Sequence, residues 1–224
     1  MNKNKKVIIL GGKGTAINFA ELIYDASSRY AADIEFLGFA FDDESFGDSI
    51  NGFPILCKTY EAYETHKKFD DVYYIFQMHR QDLMEERANL IESYNIPLEK
   101  WFTFIHPTSY VARSAKIGNG TCIAAHCAIH SNTVIGNHCT FSSNTTVGHD
   151  SLIENNVFTG THACIGSSVK IRKFNFLGQN AGISTNVEIE KNNLIGLGAS
   201  VVHNITESNQ IYIGSPAKSL KPIK

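Results

Sequence analysis

The sequence predicts two units in series: a small Rossmann-like α/β unit over residues 1–100 and a parallel β-helix over residues 101–224. Three observations predict this. From Ile105 to Val201 every sixth residue is aliphatic or aromatic, Thr159 excepted. Four residues after each of these positions the side chain is small, as at Thr121, Cys127, Thr133, Cys139 and Ala163; Asn175 and Asn193 depart from the pattern. The first hundred residues instead alternate short apolar runs with helical patterns. A six-residue period matches neither the 3.6 of a helix nor plain strand alternation, and it is the period of hexapeptide coils. Three hexapeptides close one triangular turn, so residues 18 apart stack at about 4.8 Å.

In the first unit, residues 6–10 read as a buried strand and the glycine-rich GGKGT follows as a turn. Thr15 can cap a helix over residues 16–24, with Ile17, Ala20, Leu22 and Ile23 as buried candidates. A second strand spans residues 34–41 and ends in Asp42 and Asp43. A third, over residues 72–76, precedes an amphipathic helix over residues 81–94 with Leu83, Leu90, Ile91 and Tyr94 on one side. Strand alternating with helix argues a parallel sheet. The joint falls in residues 97–107, where Trp101, Phe102 and Phe104 are expected to pack the interface. Beyond it the coil is expected to make about five turns with Ile and Val inward. The glycines that follow the aliphatic positions, at 118, 136, 148, 160, 166, 178 and 196, read as tight corners.

Composition narrows the function classes. The net charge is −2 and the isoelectric point about 6.5, which gives no electrostatic basis for general nucleic-acid or membrane-surface binding. No stretch approaches the roughly 20 apolar residues of a membrane span. The basic start is followed by too short an apolar run for a signal peptide, and a buried first strand explains that run better. A cytoplasmic location follows as the expectation, and five cysteines without a CxxC pair fit it. His126, Cys127, His130, His138 and Cys139 invite a metal reading. In coil register these side chains fall on different faces, so structural thiols and surface histidines, His162 among them, are expected, and no metal.

Two sets of residues carry candidate chemistry. Ligands of a parallel α/β unit bind beyond the strand ends. There the turn at Gly12, Lys13 and Gly14 can bring backbone N–H groups to a phosphate at a helix N-terminus, while Asp42 and Asp43 can meet a ribose or a base. The full GxGxxG is absent, so a plain strand–helix turn stays open. In the coil, His149 lies two residues after its aliphatic position and therefore points outward, between the small Ser131 and Ser167. Acyl transfer to an amine needs a base near neutral pH, the role histidine suits, and Asp150 can hold the imidazole. At the C-terminus, Lys218 can approach the phosphates of a bound donor or simply be solvated.

VIILGGKGTA at the start, GFAFDDES after the second strand, IHPTSYVARSAKIGNG entering the coils, TTVGHDSLIEN at mid-coil and IGLGASVV with IGSPAKSL at the end together resemble one family. It is the bacterial sugar acyltransferases, including the N-acetyltransferases of bacillosamine and perosamine biosynthesis and the sialic-acid O-acetyltransferase-like proteins. The resemblance implies a left-handed β-helix, a homotrimer, acetyl-CoA between neighbouring coils, and a nucleotide-linked sugar held by the first unit. It implies N-acetylation of a 4-amino-dideoxy hexose for surface glycans such as lipopolysaccharide, with His149 and Asp150 catalytic. Substrate contacts map to Gly12, Lys13, Gly14, Thr15, Asp42, Asp43 and Gln77, and donor contacts to Gly178, Gln179, Gly196, Leu197 and Lys218. Three departures stand out. Phe158 sits where some members have a second histidine and Ser142 where Asn is common, while Ile75-Phe76-Gln77 replaces Ile-Gly-Asn. The Phe76 ring is expected near the substrate. Sugar O-acetylation, a longer acyl group, and a non-catalytic trimeric scaffold are the rival readings.

Overall fold

The computed structural model describes residues 5–223; the basic start at residues 1–4 and Lys224 lie outside them. Strands β1 (Lys5–Leu10), β2 (Ile34–Ala40), β3 (Ser49–Ile50), β4 (Phe53–Cys57) and β5 (Val72–Phe76) form one sheet in the order β3-β4-β2-β1-β5. All pairings are parallel except β3 with β4. Val7, Ile8, Ile9 and Leu10 are fully buried, as a strand covered on both faces requires. Helices α1 (Thr15–Tyr30), α2 (Ala62–His66) and α3 (Met84–Ser93) complete the unit.

Several local expectations need correction. Thr15 does not cap α1; it is the first helical residue, Gly14 takes the cap position, and no side chain caps the end. The helix also runs past residue 24, because Ala26 continues its buried stripe, and it stops where Ala31 turns left-handed. The helix expected from residue 81 begins at Met84. The β3–β4 hairpin was not anticipated, although Asn51 and Gly52, at φ of 50° and 82°, carry the Asn-Gly signature of a two-residue turn.

From Phe104 to Val201 the chain winds in two-residue strands that pair in parallel at a spacing of 18 residues, as Thr146 with Cys164 and Val147 with Ile165, before Gln210–Ile213 adds to face 1 beside Leu194–Ile195. This is the left-handed parallel β-helix, with three flat faces. Face 1 starts at Phe104–Ile105 and includes Cys122–Ile123, Thr140–Phe141, Phe158–Thr159 and Phe176–Leu177. Face 2 starts at Tyr110–Val111 and includes Thr146–Val147, and face 3 starts at Lys116–Ile117. The aliphatic register is buried from Ile123 to Val201. Ile105 is instead 38 % exposed, and Val111 and Ile117 are partly so, because no coil lies beneath the first one. Phe141, fully buried, fills the middle of this core. Phe141→Ala is expected to cost about 3–5 kcal/mol, read as a lowered urea midpoint at unchanged slope. A loss under about 1 kcal/mol would contradict a tightly packed coil.

The corner glycines need a different explanation from the one the sequence suggested. None of the seven has positive φ. They are small because coils touch there: a Cβ on Gly148 would lie 2.6 Å from the backbone of Gly166, and one on Gly160 2.6 Å from the nitrogen of Gln179. The left-handed residue comes two positions later, where His126, Asn132, His138, Asn144, Asp150 and His162 all have φ near +60°. Asn, Asp and His tolerate that conformation best among residues with a Cβ. This accounts for the histidine-rich spacing without a metal.

Asn175 and Asn193 keep the inward position and are fully buried. The Asn175 amide donates to the carbonyls of Arg172 and Glu190, and its oxygen accepts from the Asn193 backbone N–H at 2.9 Å. Asn193 repeats the pattern toward Glu190, Glu207 and Gln210.

The first unit packs on face 1. Phe19 meets Phe104, Tyr73 meets Phe102 and Tyr74 meets Trp101, with ring centroids 6.0–6.4 Å apart. Farther up, Phe158 and Phe176 stack at 4.7 Å and pack with Met84 and Ala88 of α3. Phe158 thus belongs to the junction between units. His138 is not a surface residue either: its ring packs 5.0 Å from that of Trp101, and burial pushes it down to about 4.

Candidate active site

His149 follows Gly148 at the corner between faces 2 and 3. Its Nδ1 lies 2.6 Å from Asp150 Oδ2, and the other carboxylate oxygen accepts from Asn132 Nδ2 at 2.9 Å. The Asn132 amide first, and then His149, hold the Asp150 carboxyl below its usual range. An ionised Asp150 accepts only, so Nδ1 carries the proton and Nε2 is left with a lone pair. Among the described residues no protein group bonds Nε2. The backbone fixes the pair from both sides, since Asp150 N–H donates to Ser131 and Ser168 N–H donates to His149. Imidazole and carboxylate are about half exposed (55 % and 49 %), so a substrate can reach them.

Across face 2 lies the next corner, with Gly178, Gln179, Gly196 and Leu197. A Cβ on Gly178 would come within 2.8 Å of the Leu197 nitrogen, so these coils too are in close contact. Gln179 is exposed and Leu197 is 72 % exposed. Between the two corners, face 2 presents the small residues Ala128, Thr146, Cys164, Gly182 and Ser200 in one column. Lys218 is exposed on the closing hairpin, where Lys218–Pro222 runs antiparallel to Gln210–Ile213.

A second feature lies in the first unit. Gly12, Lys13, Gly14 and Thr15 line a cavity of about 350 Å3 together with Gln77 and residues from the loop before α3. Gly12 is required there, since a Cβ would lie 2.5 Å from the Phe41 ring. Lys13 Nζ sits 2.7 Å from Asp43 Oδ2 and over the rings of Phe41 and Phe46. Lys13 and then Ser45 push Asp43 down to about 2. Asp42 turns the other way, with both carboxylate oxygens taken by the N–H and hydroxyl of Thr59. Gln77 is buried against the coil, donating to Thr140 Oγ1 at 3.2 Å while its Oε1 has no partner. His79 Nε2 meets the same hydroxyl at 3.1 Å, and burial pushes His79 down to about 3, so it is neutral.

Phe76 does not reach this cavity. It is 2 % exposed and points into the core shared with Leu10 and Tyr74, because strand alternation turns Gln77 to the coil side instead. The cavity also contains His79, Arg80 and Arg87, which the sequence reading passed over. Arg87 lies inside an amphipathic helix pattern, where an arginine reads as solvated. The structure therefore joins His149 with Asp150, and the glycine turn with Gln77. It does not join the two groups: the cavity lies on the face 1 side, and His149 is on the corner opposite face 1.

By architecture this is an α/β unit with a glycine-turn cavity joined to a left-handed hexapeptide coil bearing an outward His–Asp pair. A family model described as the GMPPB C-terminal domain matches residues 102–211. Among solved structures, PerB from Caulobacter crescentus, in complex with CoA and GDP-perosamine, is 20 % identical over 96 % of this chain and 97 % of its own, with a TM-score of 0.78. The acetyltransferase domain of PglB from Neisseria gonorrhoeae, in complex with acetyl coenzyme A, is 20 % identical over 97 % and 100 %, with a TM-score of 0.81. WeeI from Acinetobacter baumannii is 20 % identical over 96 % and 99 %, with a TM-score of 0.78. No curated protein matches in sequence. The chain has the fold of these structures over 96–97 % of its length. Among the described residues no three His, Cys, Asp or Glu side chains converge to hold a metal ion, and no helix is long and apolar enough to cross a membrane.

Proposed function

We propose that this chain is an acetyl-CoA-dependent N-acetyltransferase acting on a nucleotide-linked amino sugar, with a 4-amino-dideoxy hexose as the sugar. The observation that carries the reading is His149: an outward imidazole with Nδ1 fixed by an ionised Asp150 and Nε2 open, beside a face of small residues. The whole-chain likeness to structures holding CoA, acetyl coenzyme A or GDP-perosamine supports both substrates. The sugar amine attacks the thioester carbonyl, His149 Nε2 takes the proton the nitrogen sheds, and as the C–S bond breaks that proton passes to the leaving sulfur, which releases CoA as its thiol. The chain holds the reactants together without an acyl-enzyme; Cys122 and Cys139, pushed up to about 12 by burial, are poor nucleophiles.

Because cavity and base lie on opposite sides of one coil, the site closes between chains, and the proposed assembly is a homotrimer with the donor along face 2 between corners. Gly178, Gln179, Gly196, Leu197 and Lys218 would then contact the donor, and Gly12, Lys13, Gly14, Thr15, Asp43 and Gln77 the nucleotide sugar. Free cysteines suit a cytoplasmic setting, and surface-glycan synthesis is the proposed use. Steady-state assays with acetyl-CoA and UDP-, dTDP- or GDP-linked amino sugars, beside the matching hydroxy sugars, test the reading. Turnover of an amino sugar with release of CoA thiol is expected. Turnover of hydroxy sugars alone, or of none, overturns it.

A further inference from the structure

Three cationic side chains line the glycine-turn cavity, and their states differ. Lys13 is paired with Asp43 at 2.7 Å, and Arg80 with Asp82 at 2.7 Å. Arg87, on the first turn of α3, has no carboxylate within ion-pair distance among the described residues, and its Nε is buried without a hydrogen-bond partner. A guanidinium half-buried with an unmet donor is costly unless an anion completes it. The start of α1 lines the same cavity. That helix has no side-chain cap and no acidic residue in its first turn, and among the described residues the N–H groups of Lys13, Gly14 and Thr15 have no protein acceptor. An uncapped helix start carries a partial positive charge, and its free N–H groups fit phosphate oxygens. The neutral His79 beside them adds no opposing charge. The cavity therefore holds one guanidinium without an ion pair of its own and one helix end without a cap.

We propose that Arg87 is the residue that binds the diphosphate of the nucleotide-linked substrate, with Lys13 held back by Asp43 as a wall of the cavity. This rests on the function proposed above and makes the diphosphate, more than the sugar, the handle by which the first unit selects its ligand. A guanidinium can meet a diphosphate in bidentate fashion, which an ammonium cannot reproduce.

The test is calorimetric titration of the full-length protein with UDP, dTDP and GDP, with the matching nucleosides, and with inorganic pyrophosphate. Arg87→Gln is expected to weaken nucleoside diphosphate binding by about 10–100-fold, the range for a lost charged hydrogen bond, and to flatten its salt dependence. CoA affinity should be unchanged and the thermal midpoint of the ligand-free protein should not fall. Arg87→Lys should recover part of the loss, which a merely structural role would not predict. Unchanged diphosphate affinity in Arg87→Gln, in an enzyme that still acetylates its amino sugar at the same KM, overturns the inference and leaves the proposed function standing. Pyrophosphate binding that depends on Arg87, in a protein that binds no nucleotide, supports the anion site and overturns the nucleotide-sugar reading. Binding of neither overturns both.

Discussion

His149→Ala is expected to lower turnover by about 10²–10⁴-fold, the usual span for a lost general base. CoA affinity and assembly should be retained, because the side chain is half exposed and supports no core contact. The sign of the pH dependence follows from the pair. Asn132 and His149 hold the Asp150 carboxyl below its usual range, so it stays ionised through mild acid. A general base works deprotonated, so kcat/KM should rise with pH on the acid side, and protonation of Asp150 should not be what limits it. Asp150→Asn should cost less than His149→Ala: it removes the fixed tautomer and leaves the base. A pH–rate profile of both variants checks the order. Near-wild-type turnover in His149→Ala at neutral pH would move the base elsewhere and dissolve the site.

Two individually inactive chains are expected to restore activity when assembled together. Thr15→Asp places a carboxylate in the first turn of α1, which suits the helix end and repels a phosphate. Co-assembled at random with His149→Ala chains, about a quarter of the sites would pair an intact cavity with an intact histidine from a neighbour in a cyclic trimer. Recovery to about a quarter of wild-type turnover, from two preparations with almost none, is the expected readout. If the mixture does no more than its parts, cavity and histidine do not meet between chains. The proposed assembly would then be wrong even if His149 is the base.

The coil was legible because its constraint is periodic. Ile129, Ile135 and Phe141 repeat one inward environment every six residues, and a single chain shows that directly. His149 was legible for the same reason, since its offset from Val147 fixes its direction. The corners were misread because two different demands fall close together: coil contact at Gly148, left-handed backbone at Asp150. Only the latter is a matter of φ, and the sequence showed both as punctuation. Arg87 and His79 were invisible because their meaning depends on α3 docking against face 1, and no local pattern records a long-range packing. Asp42 and Asp43 looked alike in sequence and diverge because β4 and the turn after it supply Thr59 to one of them.

A repeat this regular has a registration problem. Sliding the chain by six residues would put aliphatic on aliphatic again and cost the core little, so hydrophobicity alone leaves several threadings nearly equivalent. The buried amides of Asn175 and Asn193 add a polar demand that the aliphatic positions lack. Every partner they have is a backbone group: Asn175 takes the carbonyls of Arg172 and Glu190 and the N–H of Asn193, and Asn193 takes the carbonyls of Glu190 and Glu207 and the N–H of Gln210. The amides therefore need an intact coil above them, and a frayed last turn would orphan them at about 1–3 kcal/mol for each group left unmet. The two residues that interrupt the apolar pattern thus rivet the last coils together through their backbones, a small sacrifice of greasiness that holds the open end of the winding closed.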